Sequence, residues 1–362
     1  MYRYALVALM LVLSVALPAQ DAAAPKALRF ADTLAAELQS RWSAQNAQTT
    51  PDPQIQEVVN QVEASNSTPD MDSIKDYMLA LPVDEGVQRG YAEDHKAQPD
   101  LIDAREVIEE ALTASLGAAN VSLQTFDAGG YAGVNIVGVL PGQGKRAKQR
   151  YVLGAHYDSE QNPGADDDGS GVAGLLEAAR VLGQHQFNAT VVFVAFDQEE
   201  ARDNGYAQGS QYYAKTAKKA KKTKVMAMLG LDMIAFHDRD TDALSLCRCD
   251  SKRKSPSTKL LASVMASFGA YTTLQVKSYK GEDASDPVSF FKVGIPALLV
   301  IEQLDTEGWP VNPYYHEQSD FYLDESGDPQ QWEGEDYLDL EYSAQIVKGV
   351  VGWTSDKAGL LR

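Results

Sequence analysis

Residues 190–200 read TVVFVAFDQEE. The first seven are apolar or β-branched with no polar alternation, the pattern of a strand covered on both faces, as in a parallel sheet. The run stops at Asp197, Gln198, Glu199 and Glu200, so acids stand where the strand must end. Outward from it the chain alternates. A strand over 151–155 and a small-residue helix over 172–182 precede it. A helix over 209–220, a strand over 225–231, a helix over 257–268, a strand over 296–301 and a last helix over 338–353 follow. Upstream, 102–116 reads as helix, and 121–126 and 134–140 as strands. Such alternation predicts an α/β fold: a three-layer α/β/α sandwich around a central, mostly parallel (mixed) sheet. No internal repeat is visible.

The chain has 362 residues, with 32 Lys and Arg against 51 Asp and Glu, a formal net charge of −19. That balance argues against nucleic acid as a partner, because phosphate backbones need basic surface. An apolar share of 44% and a charged share of 23% belong to a folded protein. The only cysteines are Cys247 and Cys249, so neither a disulfide scaffold nor a cysteine-built zinc module can form. A local disulfide and two free thiols stand as alternatives for that pair. With five histidines, any metal site must be built mostly from carboxylates. The cluster Lys215, Lys218, Lys219, Lys221, Lys222 and Lys224 reads as a solvated helix end, where cations suit the dipole. The acid-rich stretch 317–341, free of Lys and Arg, reads as a surface loop, with a structural Ca²⁺ as the alternative.

Arg3, the apolar run 5–17 (ALVALMLVLSVAL) and the small residues Ala19 and Ala22 to Ala24 fit a signal peptide over 1–19. The run is too short to span a bilayer, which needs about 20 residues. The expectation is an exported protein, periplasmic or extracellular, with an uncleaved anchor as the alternative. Residues 20–85 form a helical N-terminal segment, with Leu28, Phe30, Leu34, Leu38 and Trp42 at helical spacing and another helix near 73–81. It is a prosegment or an accessory layer. The α/β domain is then 86–362.

An open α/β sheet places its site at the carboxyl ends of its strands. His156, Tyr157 and Asp158 follow 151–155, and the run GADDDGSG (164–171) leads into the next helix. Asp197 to Glu200 follow 190–196, Asp232 follows Leu231, and a loop beyond Ile301 delivers Asn312, Pro313, Tyr314, Tyr315 and His316. Singly, each has a bland reading: a solvated histidine, surface acids, a turn with a helix cap. Together they meet one chemical need. Two zinc ions roughly 3.5–4 Å apart require a bridging carboxylate and further nitrogen or oxygen ligands for each. His156, Asp167, Glu200, Asp232 and His316 supply that set, and Glu199 is a spare carboxylate for proton transfer. His95, His185 and His237 match no ligand position and read as surface or packed residues.

The blocks GAHYDS (154–159), GADDDGSGVAGLLEAARVL (164–182), FVAFDQEE (193–200), GS (209–210), LD (231–232), SD (285–286), GIPA (294–297) and NPYYH (312–316) carry a family likeness. From about residue 87 onward the chain resembles the secreted zinc-dependent exopeptidases typified by bacterial leucyl aminopeptidase and glutamate carboxypeptidase. The resemblance implies a zinc-peptidase fold, 86–362 as a dizinc peptidase catalytic domain, and two Zn²⁺ per chain. Asp167 would bridge the ions through a carboxylate next to a cis bond to Asp168. His156 and Asp232 would hold one ion, Glu200 and His316 the other. Glu199 would be general base and then general acid, Asp158 would hydrogen-bond the His156 imidazole and fix its tautomer, and Tyr315 would donate to the developing oxyanion. The implied activity is that of a metallo-exopeptidase, an aminopeptidase cutting the N-terminal peptide bond through a zinc-bridging hydroxide. Its partners would be peptides with a free N-terminus, with no nucleic acid and no membrane after signal removal; the oligomeric state stays open.

Two positions depart from the family pattern. Ser285, Asp286 and Pro287 stand where many relatives have Ser-Asp-His, a change in the substrate loop that touches no ligand. The link ARDNGYAQ (201–208) is longer than usual, which affects the pocket rim. A glutaminyl-peptide cyclotransferase with a single zinc is the near alternative, sharing His156, the Glu199–Glu200 pair and His316. The run 167–171 and the tyrosine before His316 favour the peptidase. A non-catalytic scaffold on the same fold is the third reading, and such relatives lose ligands that this chain keeps. The absence of an arginine cluster near the motifs favours aminopeptidase over carboxypeptidase action.

Overall fold

The computed structural model describes residues 50–65, 73–92, 96–201, 205–239, 242–248, 256–280, 285–305 and 307–361. Among these, helices α1 (Pro53–Val59), α2 (Ile74–Ala80) and α3 (Pro99–Leu116) precede a hairpin of β1 (Val121–Ala128) and β2 (Tyr131–Leu140). β3 (Gln149–His156), α4 (Gly171–Gly183), β4 (Thr190–Phe196), α5 (Gln208–Lys219) and β5 (Lys224–Leu231) then alternate. After them come β6 (Ala243–Arg248), α6 (Pro256–Tyr271), β7 (Gln275–Lys280), α7 (Pro287–Lys292), β8 (Ala297–Ile301) and the long α8 (Leu340–Ala358).

One mixed sheet of eight strands runs β1-β2-β4-β3-β5-β8-β6-β7. Its middle, β4-β3-β5-β8, is parallel throughout, and β1, β2 and β6 supply the antiparallel pairings. Every residue of β4 is buried, as its unbroken apolar run requires. Val191, Phe193 and Ala195 pack into one layer with α4 and α8, whereas Val192, Val194 and Phe196 pack into the other with α5 and α7. Burying side chains of that size stabilises by about 1.5–3 kcal/mol each. The three-layer arrangement expected from the alternation is therefore present.

Within 20–85, Ile55, Val58 and Val59 of α1 and Ile74, Tyr77 and Met78 of α2 join the same core as α4 and α8. Asp52 and Ser73 cap these two helices through side-chain oxygens. The expected signal peptide, and the helical pattern at Leu28 to Trp42, lie outside the described residues. Lys218 and Lys219 do occupy the last turn of α5. Among the described residues no helix is long and apolar enough to cross a membrane.

Strands β6 and β7 and the short helix α7 are not anticipated by the sequence pattern, whereas α1 falls inside the segment expected to be helical. β7 reads QVKSYK, an alternation broken by lysine, because it lies at the sheet's edge. α7 has only six residues, too few to show a helical period.

Candidate metal centre

The carboxyl ends of β3, β4, β5 and β8 point the same way, and the loops beyond them are tied together by buried carboxylates. Asp168 accepts main-chain N–H groups from His156 at 3.0 Å, Gly171 at 3.0 Å and Met233 at 3.2 Å, joining the β3 end, the α4 start and the β5 exit. Its peptide bond to Asp167 is cis. Asp320 accepts from the main chain of Asp166 at 2.8 Å and of Asp167 at 3.1 Å. Beyond β4, Asp197 accepts from Arg105 Nη2, Tyr91 Oη and Val134 N, each at 2.8 Å, which anchors the exit that carries Glu199 and Glu200.

These ties bring all five expected ligands together. Asp167 turns its two carboxylate oxygens to different imidazoles: Oδ1 lies 3.3 Å from His156 Nε2 and Oδ2 lies 3.2 Å from His316 Nε2. His156 Nε2 is also 3.7 Å from Asp232 Oδ1, and His316 Nε2 is 3.1 Å from Glu200 Oε1. Ligands at about 2.0–2.1 Å around a tetrahedral zinc stand about 3.3 Å apart, so these separations match the edges of such a site. Glu200 Oε2 is buried without a hydrogen-bond partner, and the donor set is nitrogen and oxygen throughout. The residues present therefore fit two zinc ions sharing one carboxylate. Among the described residues, every group of three or more donors close enough to share an ion belongs to this cluster, and the acidic stretch 317–341 forms no such group of its own.

The electrostatics call for added positive charge. Burial alone would lower the His156 pKa, yet Asp167 and Asp232 outweigh it and hold it well above the ordinary value. Burial likewise opposes His316, and Asp167 and Glu200 push it up to about 10. Burial pushes Glu199 well above the carboxylate range; His156 opposes this, and Glu200, Asp286 and Asp232 add to it. Burial would raise Asp167 as well, but the two imidazoles hold it below the usual range. Divalent cations here would relieve the acids' mutual repulsion and draw Glu199 back towards a carboxylate able to accept a proton.

Asp158 is buried in the site, though its carboxylate does something other than the expected contact. His156 Nδ1 lies 3.0 Å from the main-chain oxygen of Asp158 and 3.7 Å from its carboxylate. The carboxylate instead accepts the main-chain N–H groups of Glu199 at 2.9 Å and Glu200 at 3.0 Å. Burial raises the Tyr315 phenol well above its ordinary value, and Asp167 and Glu200 add to that, so it keeps its proton and remains a donor. Its ring stacks on His316 with centroids 3.8 Å apart.

Two residues of the site go beyond the motif reading. Asp286, at the start of α7, is buried, and its charge is felt by His156, Asp232 and Glu200. The SD block before GIPA is the signal for it, although the sequence gives no reason to place it beside the ligands. Glu160, in the loop after β3, puts Oε2 2.7 Å from His316 Nδ1; a lone acid in a loop carries no such signal. His185 faces Gln61 and His237 faces Asp339, both away from the ligands, and His95 lies outside the described residues. Cys247 is a free, buried thiol; Cys249 lies outside the described residues.

The profile of Peptidase family M28 matches residues 135–328, just over half of the chain. Leucine aminopeptidase 1 of Grosmannia clavigera is 33% identical over 183 residues, covering 46% of this chain and 43% of that protein. The protein of the same name from Paracoccidioides brasiliensis is 26% identical over 262 residues, covering 68% and 60%. The chain thus spans about half the length of the curated relatives it matches. Among solved structures, the LapA aminopeptidase of Legionella pneumophila superposes with a TM-score of 0.65 at 21% identity, covering 85% of this chain and 75% of that one. A glutaminyl cyclase of Macrostomum lignano gives 0.64 at 19% identity, covering 87% and 95%. At such identities the two structures speak for the fold alone.

Proposed function

The chain belongs to Peptidase family M28, and from that premise we propose that it is a zinc aminopeptidase that cuts the N-terminal peptide bond of peptides. The observation that carries the reading is the placing of the two Asp167 oxygens against different imidazoles, with Asp232 beside one and Glu200 beside the other. In this reading His156 and Asp232 hold one zinc, Glu200 and His316 the other, and Asp167 is shared. Zinc bound there supplies Lewis-acid polarisation of a carbonyl and acidifies water.

The chain's own groups then have distinct tasks. Glu199, drawn back to its ionised form by cations bound beside it, takes the proton from the attacking water and later returns it to the leaving amine. Asp158 holds the main chain that carries Glu199 and Glu200. Tyr315, which keeps its proton, donates a hydrogen bond from its phenol to the oxyanion as charge develops there. Surplus carboxylates around the ligands attract a free ammonium terminus and repel a carboxylate one. Arg89, whose charge is felt by Asp320 and Asp168, is buried and spends its guanidinium on main-chain oxygens, and Arg105 is tied to Asp197. Neither is available to a substrate carboxylate, which favours aminopeptidase action. Helices α1 and α2, buried against α4 and α8, act as an accessory layer of the 86–362 domain.

The test is Glu199→Gln with metal content and hydrolysis of aminoacyl anilides measured together. Zinc retained at two per chain with hydrolysis lowered by a factor of about 10² or more is expected. Unchanged hydrolysis would remove Glu199 as the base. One zinc per chain with cyclisation of N-terminal glutamine would replace the peptidase reading by the cyclotransferase one.

A further inference from the structure

We propose that the end of the sheet opposite the metal centre is a docking face for an anionic membrane surface presenting phosphodiester headgroups, and that the chain sits there with its ligand cluster turned away. The proposal does not depend on the peptidase reading.

The fold gathers cations at that end from three separate segments. β3, β5 and β8 are parallel, so their amino ends lie together, and α5 and α7 finish on the same side before β5 and β8 begin. α5 brings Lys215, Lys218 and Lys219, and the turn into β5 brings Lys221, Lys222 and Lys224, all exposed. Lys224 N donates to Lys148 O at 2.8 Å, which sets the exposed Lys145 and Lys148 close by. A Cβ at Gly294 would lie 3.7 Å from Lys218 Nζ, so the end of α7, with Lys292, adjoins as well. Segments 141–157, 208–231 and 287–301 contain no Asp or Glu. Among the described residues none of these lysines stands in an ion pair, in a chain that carries 51 acids. A solvated helix end accounts for α5 alone and not for the segments folded against it.

The acids of the ligand cluster are too far away to cancel this charge. Lys224 and Leu231 are the two ends of β5, roughly 23 Å apart at about 3.3 Å per residue, and Asp232 follows Leu231. At about 0.1 M salt, charges are screened over about 10 Å. An anionic surface that meets the lysines therefore feels them and not the acids beyond, while the net charge of −19 disfavours approach by other faces. Basic clusters of this size bind anionic bilayers without a spanning segment.

The chemistry of the face favours a bilayer over a nucleic acid. Its exposed cations are lysines, compact charges without the planar fork that pairs with phosphate bidentately. Arg146 is spent on the main-chain oxygens of Lys357 and Ala358, each at 3.0 Å. Neither 141–150 nor 214–224 has an aromatic ring on which a base could stack.

Co-sedimentation of the full chain with phosphatidylglycerol vesicles, and with phosphatidylcholine vesicles as the neutral control, tests this. Binding to the first alone is expected at about 0.02 M salt, with loss at about 0.5 M. Replacing Lys218, Lys219, Lys221 and Lys222 together by Gln is expected to weaken it by about 100-fold or more, and replacing the same four by Arg to preserve it. Lys219→Glu, a single reversal at an exposed position, is expected to weaken it about 10-fold and decides the matter if the fourfold Gln variant does not fold. Absence of binding by wild type, equal binding to both vesicles, or binding that survives the Gln and Glu changes would overturn the proposal. Tighter binding to duplex DNA or single-stranded RNA than to the vesicles at the same salt would also overturn it and give the face to nucleic acid.

Discussion

Asp158 accepts the main-chain N–H of Glu199 at 2.9 Å, so the acid read as the base is held by its backbone, with its own carboxyl left for chemistry. The second oxygen of Asp158 does the same for Glu200 at 3.0 Å. An asparagine there offers one acceptor and turns an NH₂ group towards the other N–H. One buried donor is then unpaired, at a cost of about 1–3 kcal/mol. Asp158→Asn is expected to lower kcat on an aminoacyl anilide by about 10–100-fold with the fold retained. A variant with wild-type kcat would mean that this backbone support is dispensable.

Gly209 shows how closely the strand exit is packed. A Cβ at this position would overlap Asp197 O and Asn135 Oδ1, one main chain and one buried side chain that itself accepts Asp197 N at 3.1 Å. Gly209→Ala must displace the residues leading to Glu199, and a loss of about 1–3 kcal/mol is expected, together with a fall in kcat. A Cβ at Gly269, inside α6, would meet nothing within 4 Å. Gly269→Ala is the matched control and is expected to stabilise by roughly 0.5–1 kcal/mol. Thermal melts of the two variants, with kcat, separate the effects; equal shifts would refute the close-packing argument.

The ligand positions are legible in the sequence because a parallel sheet puts its chemistry at strand ends, and β3, β4 and β5 announce themselves by apolar runs that stop on His or Asp. What is hidden depends on partners chosen by the fold. Nothing local distinguishes Glu160 from a solvated acid, and its meaning comes from His316, far along the chain. Asp286 is the same case, since its burial is decided by α7 docking near β5 and β8. The expected Asp158 contact has the right residue and the wrong atom: the short spacing from His156 lets the main-chain oxygen reach the imidazole first.

Arg89 is 1% exposed, and its guanidinium donates to the main-chain oxygens of Tyr157 at 2.9 Å, Gly164 at 2.8 Å, Pro82 at 3.3 Å and Pro163. Burial lowers its pKa, while Asp320, Asp168, Asp158 and Asp167 oppose that shift, so it is also the positive charge behind the acids. Arg89→Met leaves those oxygens unpaired and is expected to cost on the order of 3 kcal/mol or more. Arg89→Lys recovers only part of this, because a single ammonium cannot span the same set of acceptors. Urea unfolding measures both; an unchanged midpoint in Arg89→Met would show that the guanidinium is not needed there.

Asp339 joins two interactions at the start of α8. Oδ1 accepts Tyr342 N at 3.0 Å as the helix cap, and Oδ2 lies 3.0 Å from His237 Nδ1, whose ring stacks on Tyr342 at 4.6 Å. The hydrogen bond from His237 holds the Asp339 carboxyl below its ordinary value, with burial opposing. A depressed folded-state pKa means stability that is present above the unfolded value of about 3.9 and is lost as pH falls through the folded one. Asp339→Asn keeps an acceptor for the cap and removes the charge. Its melting-temperature deficit is therefore expected to be full near pH 6 and to shrink below about pH 4 as wild type becomes protonated. Asp339→Ala loses the cap too, adding about 1 kcal/mol at every pH. Melts of the three proteins across that range decide it: an asparagine deficit that stays constant down to about pH 3 would place the stabilisation in the cap and not in the charge paired with His237.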